Sequence, residues 1–185
     1  MLSRLNAVIL VILSLLSANV FSAETDPQIQ NQLNAFALND GHGTFIQQKK
    51  FKLLTRAIES NGEYWIDNQQ QQIIWQTNQP VFNRLVITAD AVKEQNKPDS
   101  ELKLLTQQPA FTQLLYSVFS GRLTDYPGIV WQSETDHCIQ AKMDNTQLAQ
   151  FVSQIQLCKL SSNNTQIRFF DNSQTETLIK LIADK

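Results

Sequence analysis

With 185 residues, of which 42% are hydrophobic and 17% charged, the chain suits one soluble domain with a real core. A formal net charge of −2 argues against a nucleic-acid binder, which usually carries a basic stripe, so no nucleic-acid partner is expected. Five glycines, none spaced as a phosphate-cradling loop, leave no nucleotide-binding signature.

The chain opens on MLSRLNAVILVILSLLSANVFSAETD. Arg4 precedes an apolar run from Ala7 to Ile12 that continues past Ser14 through Leu16, and small residues then lead to Glu24, the layout of a secretory signal peptide. The run is too short for a bilayer core of about 30 Å. Residues 1–23 are therefore expected to be removed, leaving a single domain over 24–185, and no cysteine stands at the junction to take a lipid anchor. Cleavage after Ser22 or Ala23 predicts an intact mass that starts at Ala23 or Glu24; an exported protein that retains residues 1–22 would refute it. No later stretch is apolar for long enough to cross a membrane, so the expected location in a two-membrane cell is the periplasm.

Residues 27–40 carry apolar side chains at helical spacing and stop at GHG, which predicts a leading helix. Strands follow over 43–54 and over 57–67, the second bent at Asn61-Gly62. A third strand over 71–80 closes at Pro80, which cannot donate to a ladder. The polar turn from Asp67 to Gln70 joins the last two into a hairpin, with apolar residues on either side of it. NRLVITADAV over 83–92 is a further strand, whereas the charged 93–105 reads as a loop or frayed helix. Residues 109–120 predict a helix with Pro109 in its first turn, Gly121 as its stop, and Phe111, Leu114, Leu115, Val118 and Phe119 on one face. Strands resume over 128–134, 137–143, 154–160 and 165–171, with one helical turn at 145–151, and 175–185 reads equally as strand or helix. There is no repeat at a fixed period.

The two cysteines fall on the polar faces of alternating strands. Ile139, Ala141 and Met143 mark the apolar face of HCIQAKM, and Ile155 and Leu157 that of QIQLCKL. An antiparallel pair folded about Leu148 sets Cys138 against Cys158, and an oxidising compartment favours a bridge between them. Two unpaired, half-buried thiols are the other reading.

Catalytic chemistry is sparse. His42 and His137 do not stand at metal-ligand spacing from another good ligand, and His137 points away from its neighbour Cys138 on a strand, which separates a would-be Cys/His pair. Asp125 and Asp136 read as solvated loop residues, and neither a nucleophile elbow nor a zinc signature occurs. No catalytic residue, cofactor or metal is expected.

GTFIQQKKFKLLTRAIESNGEYWIDNQQQQIIWQTNQP resembles the opening of LolA-like outer-membrane lipoprotein carriers. Gly43, Phe45 and Gln47 match the family's G-x-F-x-Q strand, Gly62 its second-strand glycine, and Trp75 and Pro80 its tryptophan-to-proline segment. PAFTQLLYSVFSG, Trp131 and the strands that follow are similar to the family's lid helix and final strands, so the likeness covers most of the mature chain. Glutamines stand where the family places an arginine before the tryptophan strand, and TADAVKEQNKPDSE replaces its DG-x-x-x-W-x-Y segment, departures that resemble a divergent branch.

The resemblance implies a mainly β protein with α: an incomplete, strongly curved antiparallel β-barrel covered by helices. Alternation would turn Phe45, Tyr64, Ile66, Ile73, Trp75, Leu85 and Ile87 to the concave face, or their neighbours if the register slips by one. Phe111, Leu114, Leu115 and Val118 of the helix, together with Trp131, complete the expected apolar cavity, and the helix fills part of it and moves aside. The implied cargo is an acylated lipoprotein or other lipid, loaded by an inner-membrane exporter onto a monomer and passed to an outer-membrane acceptor. The other function in view is a non-catalytic accessory or interaction subunit of a lipid or polyene biosynthesis or export system. At about 0.8 kcal/mol per buried methylene, one long acyl chain gains roughly 10 kcal/mol before ordering costs, without specific polar contacts.

Overall fold

The computed structural model describes residues 26–38, 40–123, 129–143 and 146–184; the expected leader and Asp125 lie outside them. Helix α1 (Pro27–Ala35) starts with the Asp26 carboxylate accepting from Gln28 N at 2.8 Å, and Pro27 occupies its first turn. It ends earlier than the apolar spacing predicts. Phe36 is the cap residue, and Leu38 N leaves the helix to donate to Ser120 O at 3.0 Å, so the chain is diverted into a tertiary bond.

Six strands follow: β1 (Gly41–Lys50), β2 (Ile58–Asp67), β3 (Gln72–Gln79), β4 (Asn83–Ile87), β5 (Val92–Gln95) and β6 (Lys103–Thr106). The predicted bend at Asn61-Gly62 is a register shift against β3, where a Cβ on Gly62 would lie 1.9 Å from the Gln76 carbonyl oxygen. Residues 83–92 are not one strand. A tight turn at 88–91, with Thr88 N donating to Ala91 O at 2.9 Å, divides them between β4 and β5. Residues 93–105 are neither loop nor frayed helix but most of the β5–β6 hairpin. Its turn is held by the nearly buried Gln95 side chain, which donates to Pro98 O at 2.8 Å and Ser100 O at 2.6 Å.

Helix α2 (Pro109–Ser120) stops at Gly121, whose φ of 69° suits a residue without Cβ and whose Cα lies close against the Phe36 carbonyl. Then come β7 (Trp131–Thr135), β8 (Cys138–Lys142), the single turn α3 (Thr146–Ala149), β9 (Gln154–Ser161), β10 (Asn164–Phe170) and β11 (Glu176–Ala183). The closing segment is a strand because β1 and β10 flank it with complete antiparallel ladders.

All of these strands form one 11-stranded sheet in the order β6-β5-β4-β3-β2-β1-β11-β10-β9-β8-β7, with β6 and β7 as unjoined edges. The sheet is strongly curled. The Phe119 ring of α2 lies 4.9 Å from Trp75 on β3 and 6.2 Å from Phe169 on β10, strands four positions apart that a flat sheet would hold about 19 Å from each other. An open, curved antiparallel sheet with helices on its concave side agrees with the expected fold class.

Cys138 and Cys158 are direct cross-strand partners with Cα atoms 4.1 Å apart, and they are disulfide-bonded. The bridge closes a loop with a sequence separation of 20 residues. In the chain-entropy account it should stabilise by about 3 kcal/mol. Thiol titration of the unreduced, denatured protein should find none free, and reduction should lower the melting temperature; two reactive thiols per chain before reduction would contradict the bridge.

Candidate functional site

The register of the sheet assembles one continuous apolar face. Directly opposed residues share a face in an antiparallel ladder, and the pairs run Tyr64↔Trp75, Trp75↔Leu85, Ile66↔Ile73 and Ile73↔Ile87. Phe45 faces Gly62 on one side and Leu181 on the other. The same face continues through Ile179, Ile167, Leu157 and Ile139, and through Phe169, Ile155, Ala141 and Trp131. All seven strand residues predicted to point inward therefore do share one side. Six of them are buried, Leu85 is half-buried, and Trp131 is buried at the far edge.

Helix α2 lies across this face because topology sends it there: it joins β6 to β7, the two opposite edges of the sheet. Twelve residues rise about 18 Å, enough to bridge the mouth of the curl. Leu114 and Val118 are buried in the core, and Leu115 packs against it half-buried. Phe111 stands apart, its ring tilted against Phe151 at 4.8 Å between centroids, beside α3. Phe119 makes the closest aromatic contact with the sheet, and Trp75 in turn stacks on Phe45 at 3.7 Å. Two polar ties hold α2 to its surroundings among the described residues: Thr112 Oγ1 donates to Ala89 O at 2.6 Å, and Ser120 O accepts from Leu38 N. The helix occupies the concavity with the chemistry an acyl chain would bring to it.

The clefts open at the rim. One of about 650 Å³ is lined on the outer side by Trp65, Asp67, Gln72, Ile74 and Arg84, with His42 tilted on Trp65 at 4.9 Å between centroids. Another, of about 500 Å³, lies where β1 begins and β11 ends, and Tyr64, Ile66, Lys159, His42 and Asp184 line it. Burial, assisted by the Asp184 charge, pushes the Tyr64 phenol up to about 12, so it stays a neutral donor. Burial lowers the pKa of Lys159, whose Nζ donates to Thr165 Oγ1 at 3.2 Å. Among the described residues no group of three or more His, Cys, Asp and Glu could hold a metal, and no helix is long and apolar enough to cross a membrane.

Ile155 and Leu157, marked by alternation as one apolar strand face, belong to the same concave face, and Ile167, Ile179 and Leu181, which alternation could also have signalled, extend it beyond the residues expected from β1 to β4. Lys159 was missed for a different reason. It is two residues past Leu157, in phase with the inner face, but lysine is ordinarily assigned to solvent.

No protein-family model matches the chain, and no curated protein matches it. Among solved structures it is similar to a LolA superfamily protein from Nitrosomonas europaea, with 8% sequence identity, a TM-score of 0.47, and coverage of 82% of this chain and 90% of that one.

Proposed function

We propose that the protein is a periplasmic carrier that shields the acyl chains of a lipid or lipoprotein between an inner-membrane exporter and an outer-membrane acceptor. The observation that carries this reading is the placement of α2, an apolar connector between two unjoined sheet edges that fills a concave face lined by aromatics and branched aliphatics. An acyl chain and the helix face compete for the same surface, so the helix keeps net affinity low enough for release. Among the described residues, two polar ties oppose its withdrawal. The sequence resemblance to LolA-like carriers and the disulfide, which suits an oxidising compartment, support the location and the class of cargo.

Native mass spectrometry of protein purified from its own cells, followed by lipid extraction, tests the proposal. Adducts with the mass of an acylated molecule, lost on extraction, are expected. A bare protein that also fails to take up a fluorescent fatty acid would end it. A second reading, an accessory subunit without cargo, is favoured by the uncovered edge strand β6, where Leu104 and Leu105 are exposed beside Leu102; it predicts that bare outcome.

A further inference from the structure

The rim where β1 begins and β11 ends holds two hydrogen-bond donors that apolar shielding leaves unused. Tyr64 and Lys159 stand on opposite sides of β11, on β2 and β9, yet line the same cavity of about 500 Å³. Gly43 lets the tyrosine reach that far. A Cβ at Gly43 would lie 2.5 Å from the Tyr64 hydroxyl and 2.4 Å from the Ile182 carbonyl oxygen, so the phenol passes over β1 and brings its hydroxyl beside β11. From the other side, Lys159 Nζ extends over β10 to Thr165 Oγ1, and Thr165 stands opposite Leu181 of β11.

Both donors keep hydrogen-bonding capacity that the described residues do not use, since Lys159 gives one N–H to the neutral Thr165 hydroxyl. Tyr64 is 3% exposed and its hydroxyl bonds to no described residue, while Lys159 forms no ion pair with one. The carboxylates at the same cavity each have a hydrogen-bond partner of their own, Asp184 the His42 Nδ1 at 2.5 Å and Asp40 the Asn68 N at 2.5 Å, and Lys159 has to outweigh the Asp184 charge that reaches the Tyr64 phenol. A half-buried ammonium with N–H groups left over beside Thr165, and a phenol whose hydroxyl bonds to no described residue, both gain from one kind of group, an oxyanion with several lone pairs.

We infer that this rim is a headgroup subsite, in which Lys159 and Tyr64 hold the phosphate or carboxylate oxygens of an anionic amphiphile whose chains lie on the inner face. The inference rests on the carrier reading and adds to it a preference for anionic over neutral cargo. Calorimetric titration with decyl phosphate, decanol and inorganic phosphate, on the parent, Lys159→Met and Tyr64→Phe, tests both separately, with thermal melting to confirm that each variant folds. Decyl phosphate should bind the parent at least tenfold more tightly than decanol, Lys159→Met should bring it down to the decanol level, and Tyr64→Phe should cut the preference several-fold. Equal binding of the two by the parent, or a preference that survives in a folded Lys159→Met, overturns the subsite and leaves the carrier standing. Inorganic phosphate that binds as tightly as decyl phosphate makes this a free-phosphate site and overturns it too. Failure of both chain-bearing ligands removes the carrier reading and the subsite with it.

Discussion

Leu157→Glu should leave the protein without a cooperative thermal transition. Leu157 is 1% exposed and is clamped in register between Ile139 on β8 and Ile167 on β10, both of them buried. A carboxylate there has ladders on either side and no route to water unless the sheet opens. Losing the leucine's packing and burying an unpaired charge or its protonated form should cost about 5 kcal/mol or more, against a total stability of roughly 5–15 kcal/mol. Circular dichroism melting decides it. A transition within a few degrees of the parent would place Leu157 outside the core.

Leu114→Glu should do the opposite to function: raise apparent affinity for a fluorescent fatty acid by tenfold or more while the sheet stays folded. Leu114 is as deeply buried as Leu157, at 0% exposure, but it belongs to a helix that, in the proposed carrier, swings into water and takes the charge with it. The substitution therefore penalises the empty, helix-filled state by about 2–5 kcal/mol. Cargo no longer has to displace the helix, and apparent affinity rises as the competent fraction grows. Melting should shift down by roughly 5–15 °C and remain cooperative. Affinity equal to the parent's or below it in a folded variant would show that α2 is not the competitor. Unfolding like that expected of Leu157→Glu would show that it is simply core.

The contrast between these two leucines also marks how far the sequence could be read. Alternation over seven or more residues was enough to place Phe45, Tyr64, Ile73, Trp75, Ile155 and Leu157, because one face of each long strand is buried and the other is not. It was not enough for β5 and β6. Each has four residues, β6 is exposed along nearly its whole length, and the hairpin turn is fixed by the Gln95 side chain, none of which leaves a period to detect. The final strand was ambiguous because Leu178, Ile179, Leu181 and Ile182 satisfy a helical and a strand period alike; β1 and β10, distant in sequence, decide between them. The rim was the least legible part. That Tyr64 crosses over Gly43 toward β11 depends on two residues 21 positions apart being cross-strand partners, which only the assembled sheet determines.

The pairing of β1 with β11 puts the first and last strands side by side in the middle of the sheet, Phe45 against Leu181. The centre of the molecule is thus made from the two ends of its ladder. β1 to β6 and β7 to β11 are each chains of hairpins between sequence neighbours, contacts that form quickly. The seam between them needs the longest loop closure in the fold and cannot begin until the last eight-residue strand has been synthesised. Until then β1 and β10 both show unpaired edges, the kind that pair with strands of other chains. Loss of β11 would accordingly not trim a tail but divide the sheet into two half-sheets, each with a newly exposed edge.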